Sequence, residues 1–277
     1  MTYASFIWTN IARNPRRTIL TIVSIGLSLF VLSTLMTVLT ELNREPEGED
    51  THLRLVVRRA TSLADRLPEA YAAKLARVPG VRLVHALTWF GGIYIDERNF
   101  FANFACDPDT LFAMFPENRI PPEQLKAFQA ERIAAVAGRK LVERFKWRLG
   151  DRITLQGTIY PVDLEFVLRG IYTGTDETAF FFHRAYLEEA LGRPGKVGTF
   201  WLKAASAGDI PRIMDAVDTL FKNSDAETKT ETERAFQLGF ISMLGNVKTL
   251  IASISSVVVF TTLLVTANTM AMAIRER

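Results

Sequence analysis

The sequence predicts an α+β membrane protein in which two transmembrane helices flank an extracytoplasmic α+β domain, and three observations lead there. Residues Ile19 to Leu39 contain no charged side chain, and about 21 helical residues cover the roughly 30 Å hydrocarbon core of a bilayer. Ile251 to Ile274 form a second uncharged stretch near the other end. Between the two, short apolar and alternating runs are punctuated by Gly and Pro, which is the pattern of strands and short helices.

Residues 1–18 read as a cytosolic amphipathic helix in the membrane interface, because Tyr3, Phe6, Ile7 and Ile11 recur at helical steps and Asn14-Pro15 breaks the run. Transmembrane helix 1 follows over 19–40. Arg13, Arg16 and Arg17 precede it and Arg275 and Arg277 follow the second span, so the excess of arginine places both termini in the cytosol as membrane anchors. The first run is too long for the apolar core of a secretion signal, and Thr40-Glu41-Leu42-Asn43 offers no small-residue cleavage site. Residues 41–229 are then expected outside the cytosol.

That domain starts with a charged linker, Arg44 to Asp50, containing Pro46 and Gly48. His52 to Arg59 alternates as a strand. Pro68 opens a helix with Tyr71, Leu75 and Val78 on one face, closed by Pro79-Gly80. Val81 to Phe90 reads as a strand, Gly91-Gly92 as a hairpin turn, and Ile93 to Ile95 and Phe100 to Cys106 as further strands. This order is that of a split β-α-β unit.

A second block follows with a helix from Arg139 to Phe145, a turn at Leu149-Gly150-Asp151, and strands over Arg152 to Gln156 and Val162 to Tyr172. It is expected to form a small antiparallel, barrel-like part. Phe180 to Phe182, Phe200 to Leu202 and a helix from Ile210 to Phe221 return the chain to the first block, so the two parts interleave. Thr230-Glu231-Thr232-Glu233 fits a capping box for an amphipathic stalk helix over 230–249, with Phe236, Phe240, Met243, Leu244 and Val247 on one face. The stalk runs without a breaker into transmembrane helix 2 (250–274), and 275–277 begin a cytosolic loop.

The formal charge of +3 sits in the flanks, since residues 41–249 carry 28 Lys and Arg against 29 Asp and Glu. No basic stripe with interleaved aromatics crosses the middle, which excludes a nucleic-acid partner. Catalysis and metal binding find no support either. His52, His85 and His183 lack a second ligand at helical or strand spacing. The single cysteine, Cys106, ends an apolar strand with no adjacent base, and Asp107 and Asp109 read as a turn and helix cap. Gly192 to Lys196 has the wrong spacing for a phosphate-binding loop, with Val197 where a hydroxyl is needed. No cofactor is expected, and ATP hydrolysis, if used, belongs to a partner.

Several stretches resemble the permease subunits of the macrolide-exporter, lipoprotein-releasing and FtsX-like ABC transporter family. They are Asn10 to Thr18 with the span after it, Gly138 to Asp151 with the strand ending Leu168-Arg169-Gly170-Ile171-Tyr172, and Asn268 to Arg277. The resemblance implies an external domain made of a ferredoxin-like part and a small β-rich part, in a bacterial inner membrane. It implies a homodimeric or paired permease served by separate ATPase subunits, which couples ATP hydrolysis to export or extracytoplasmic work by mechanotransmission. Arg275, Glu276 and Arg277 would begin the ATPase-facing loop, the alternative being a plain anchor. Asn268 is expected at an interface between spans. One departure stands out: the family has four spans and this sequence ends after the second, as a fragment, a split subunit or an early stop would. The competing reading is a two-span membrane sensor with an extracytoplasmic ligand-binding domain, and an anchored enzyme ranks third.

Overall fold

The computed structural model describes residues 15–42, 50–243 and 247–275. The chain divides into two compact units, Pro46–Phe236 and the paired ends Met1–Glu45 with Gln237–Arg277.

Among the described residues, the central unit has eleven strands: β1 (Arg54–Arg59), β2 (Leu67–Pro68), β3 (Val81–Trp89), β4 (Ala102–Cys106), β5 (Ala134–Gly138), β6 (Arg152–Leu155), β7 (Leu164–Tyr172), β8 (Ala179–His183), β9 (Lys196–Val197), β10 (Thr199–Ala204) and β11 (Thr228–Thr232). Nine of them make one mixed sheet in the order β11-β1-β10-β3-β4-β8-β5-β7-β6, and β2 pairs with β9 apart from it. The half β11-β1-β10-β3 is antiparallel throughout. Helix Tyr71–Leu75 connects β1 to β3, and helix Ile210–Leu220 connects β10 to β11. Two split β-α-β units therefore interlock, which is the ferredoxin-like arrangement.

The second block leaves after β3 and returns before β10, so the parts interleave. It is not a separate antiparallel barrel, however. Leu87 pairs with Cys106 and Trp89 with Phe104, which carries the hydrogen-bonded ladder straight from the first half into the second. Parallel pairs β4-β8 and β5-β7 follow, and the sheet stays open. Parallel neighbours need long crossovers, and the helices between these strands supply them.

Alternation along the strands divides the core between two faces. Leu55, Val57, Phe200 and Leu202 face helices Tyr71–Leu75 and Ile210–Leu220, burying Tyr71, Leu75, Val78, Ile213 and Val217. Phe180 and Phe182 continue that alternation in the second block, packing with Leu141, Trp147 and Phe166. Val56, Trp201 and Phe181 point the other way, onto Leu111, Met114 and Phe128.

Two local expectations are corrected. Pro68 does not open a helix. It pairs with Lys196 in the two-residue β2-β9 ladder, and the helix begins at Tyr71. Ile93 to Ile95 is not a strand. Ile93 makes a single bridge to Gln156, and the chain then turns, with Ile95 at φ 63° and the Asp96 amide donating to the Tyr94 carbonyl at 2.6 Å. At the opposite edge, β11 is closed by a side chain: Asp218 accepts from the Thr230 amide at 3.1 Å and from the hydroxyls of Thr228 and Thr230 at 3.0 and 2.7 Å.

In the other unit, helices Pro15–Leu42 (28 residues) and Val247–Arg275 (29 residues) pack against each other. Ile22, Leu27 and Phe30 of the first and Val257, Phe260 and Leu263 of the second are more than half exposed. Counted over the described residues, no helix is long and apolar enough to cross a membrane. Many side chains of both helices lie outside the described set, so the two spans stand on the sequence. The expected interfacial helix up to Asn14, the linker over 43–49 and the passage from stalk to span at 244–246 also lie outside the described residues.

Candidate functional site

The residues singled out in the sequence are not brought together by the structure. Arg13, Glu276 and Arg277 lie outside the described residues, as do the side chains of Arg16, Arg17, Asn268 and Arg275 within their helices. Among the described residues no three His, Cys, Asp or Glu side chains group as metal ligands would.

The residues weighed for chemistry are held by the fold. His85 is fully buried, its Nδ1 2.7 Å from the Thr110 hydroxyl. Burial, with the Arg184 charge nearby, pushes its pKa down to about 3, so the ring is neutral. His183 Nε2 meets the Phe128 carbonyl at 2.5 Å. Cys106 is completely enclosed, and burial raises its thiol well above the ordinary value, which leaves no thiolate for nucleophilic work. Asp107 does belong to a turn, its carbonyl accepting from the Thr110 amide at 3.3 Å. Its carboxylate caps no helix, because it takes the Arg184 Nε at 3.0 Å.

Arg184 lies beside a surface cleft of about 250 Å³ lined by Glu69, Arg132, Glu188, Glu189 and Arg193. Its Nη2 donates to Glu69 at 2.9 Å, Arg132 pairs with Glu189, and Glu188 accepts the Gly195 amide at 2.9 Å. The carboxylates are thus already engaged, and the cleft is charge-balanced.

The most strongly built polar site lies at the end of the sheet where the chain enters the domain and leaves it. Arg54, the first residue of β1, is 1 % exposed. Its Nε donates to Glu233 at 2.6 Å, and its Nη1 to Glu117 at 2.9 Å and to the Met114 carbonyl at 3.2 Å. The Phe115 ring lies 5.0 Å from its guanidinium carbon, a cation-π contact strengthened by burial. Phe115 meets Trp201 edge-on at 5.1 Å, and Trp201 meets Phe236 at 6.3 Å. On the neighbouring strand, Lys203 pairs with Asp50 at 2.6 Å, directly before the turn Thr51–Leu53. Burial raises the Glu233 carboxyl above its ordinary value and Arg54 pulls it back. A carboxylate buried this far is tolerable only with such a partner.

This clasp corrects the expected capping box. β11 runs through Thr232, and the helix begins at Glu233. Thr232 is the cap, its hydroxyl accepting from the Ala235 amide at 3.2 Å. Glu233 does not reach back to the cap because Arg54 holds it. The pairing spans 179 residues, and no local pattern signals it. The one available signal was an arginine inside the apolar run Leu53 to Val57.

No protein-family profile matches the sequence, and no curated protein does. Solved structures match in fold. The extracellular domain of a noncanonic ABC-type transporter, YknZ, from Gram-positive bacteria is 13 % identical with a TM-score of 0.50, covering 64 % of this chain and 99 % of that one. The periplasmic region of MacB from Actinobacillus actinomycetemcomitans is 9 % identical with a TM-score of 0.50, covering 68 % of this chain and 92 % of that one. The α+β domain with its large mixed sheet thus has the fold of extracytoplasmic domains of ABC-type transporters.

Proposed function

We propose that this chain is a permease component of an ABC-type transporter, with its Pro46–Phe236 domain outside the cytosol of a bacterial inner membrane and its two long helices as spans. One observation carries the reading: a domain with the fold of transporter extracytoplasmic domains is inserted between two long helices that display outward apolar side chains. Exposed Ile, Leu and Phe in such density suit lipid far better than water.

In this scheme a separate ATPase supplies the energy and the permease works as a homodimer or a pair. Arg275, Glu276 and Arg277 begin the loop facing the ATPase, Arg13, Arg16 and Arg17 anchor the cytosolic side, and Asn268 sits between spans. The Arg54 clasp suits mechanotransmission. It joins the first strand after the first long helix to the start of the helix that leads towards the second, so the entry and exit of the domain are held to each other.

The test is recovery of the tagged full chain from its native membrane in mild detergent, followed by identification of what comes with it. An ABC-type ATPase in stoichiometric yield is the expected result. Its absence, with the chain intact and membrane-bound, would overturn the transporter reading.

A further inference from the structure

Strand β6 is an edge of the nine-stranded sheet, and it is left open by a strained turn in the segment that would otherwise cover it. Val167 donates to the Ile133 carbonyl on its far side, so Phe166 and Leu164 face β6 and bond to their partners Ile153 and Leu155. The backbone N–H and C=O of Arg152 and Thr154 therefore point away from the sheet. Gln156, next in that outward series, is already taken, exchanging both its backbone bonds with Ile93 at 2.9 Å. Continued in that antiparallel register, Ile95 would lie opposite Thr154 and Glu97 opposite Arg152. Ile95 prevents it. At φ 63°, with Asp96 bonded back to Tyr94, it makes a γ-turn of the strained kind, rare for a β-branched residue. Its side chain is 73 % exposed, and Thr154 and Arg152 are exposed beside the abandoned register.

The chain that leads into this edge is predominantly basic, although Asp96 and Glu97 lie in the neighbouring turn. From Arg139 to Arg152 the chain carries six basic residues against two acidic ones, and the basic side chains Arg139, Lys140, Arg144, Lys146, Arg148 and Arg152 are all exposed. Glu165 pairs with Arg152, while the Asp151 carboxylate accepts the Arg148 amide.

We propose that the β6 edge is a docking site for an extended acidic segment of a partner protein, which adds as a further strand against Thr154 and Arg152. Unpaired edge groups supply the main-chain hydrogen bonds, and the basic rim selects acidic side chains. The proposal concerns the central domain alone and does not depend on the transporter reading.

The test uses the full chain in detergent and a labelled synthetic peptide of alternating Val and Glu, followed by fluorescence anisotropy and amide exchange. Saturable binding is expected, weakened roughly tenfold when alternate peptide amides are N-methylated, when Lys replaces Glu in the peptide, or in Thr154→Pro. Proline at an outward edge position removes one donor with little strain, and the N-methylated peptide decides the matter should that variant misfold. The Thr154 amide should exchange freely in the unbound protein and slow on binding. Absence of saturable binding, or binding indifferent to N-methylation, overturns the proposal. So does a slow Thr154 amide in the unbound protein, which would mean that Tyr94 to Glu97 closes the edge itself.

Discussion

Arg54 and Glu233 meet at 2.6 Å although 179 residues separate them, and with this contact the first strand of the domain grips the first residue of its last helix. Both side chains are buried, at 1 % and 7 % exposure. Removing one partner leaves an uncompensated charge. Glu233→Leu or Arg54→Leu should each destabilise the domain by about 3–5 kcal/mol, whereas the double replacement should cost markedly less than their sum. Denaturant unfolding of the full chain in detergent, with the domain's tryptophans as probes, measures both. Additive losses would show that the two side chains are not coupled.

His85 makes the fold sensitive to acid. Its folded pKa of about 3 lies below the ordinary value of 6.5, so between these values the unfolded chain binds a proton that the folded chain refuses. Stability is therefore complete above pH 6.5 and falls as pH drops through that window, by up to about 1.4 kcal/mol per unit for this one group. His85→Gln keeps a polar atom for Thr110 and removes the titration. Unfolding at pH 7 and pH 5 should show a smaller acid loss in the variant, and equal losses would assign the effect to other groups.

Asp218 guards the edge at β11. Its carboxylate takes the Thr230 amide, a backbone donor that a second chain could otherwise use, and the hydroxyls of Thr228 and Thr230 hold it there. Asp218→Ala should cost about 2–3 kcal/mol and render the chain prone to concentration-dependent association. Sedimentation at several concentrations checks the second effect, and a monodisperse variant would show that the Asp218 contacts do not protect this edge.

Gly138 has no room for a side chain, since a Cβ there would come 2.1 Å from the Glu177 carbonyl oxygen, a backbone atom that cannot swing aside. Gly138→Ala should lower stability by about 3 kcal/mol or more. Thermal unfolding reads this directly, and a loss below 1 kcal/mol would mean that the loop around Glu177 yields easily.

Ile95 offers the opposite case. Glycine accepts a positive φ without penalty, so Ile95→Gly should stabilise the domain by about 1 kcal/mol. Unfolding by denaturant tests this. A destabilised variant would show that the exposed Ile95 side chain contributes packing that outweighs its backbone strain.

Much of the fold was legible because it is written at short range. The alternation in Leu55 to Val57 and Phe180 to Phe182 announced strands, and the face shared by Tyr71, Leu75 and Val78 announced a buried helix. The β-α-β order and the interleaving of the two blocks followed from element order alone. Ile93 to Ile95 misled because its apolar pattern favours a strand while the turn at Ile95 depends on where Gly91 and Gly92 deliver the chain. The capping box misled because a glutamate three residues after a threonine satisfies the local rule equally well when its true partner is an arginine from the other end of the domain.

What the sequence determined by itself was therefore everything set by periodicity and composition: the two uncharged runs near the ends and the α+β character between them. Only the tertiary structure decided that both blocks share one open mixed sheet, that Arg54 closes on Glu233 and Glu117, and that β6 is left with unpaired backbone while Asp218 takes the Thr230 amide of β11. Those outcomes depend on which residues far apart in the chain become neighbours. Hydrophobic patterning selects the buried face of each element, but strand order, register and ion pairing are settled together, when every buried polar group must find its partner.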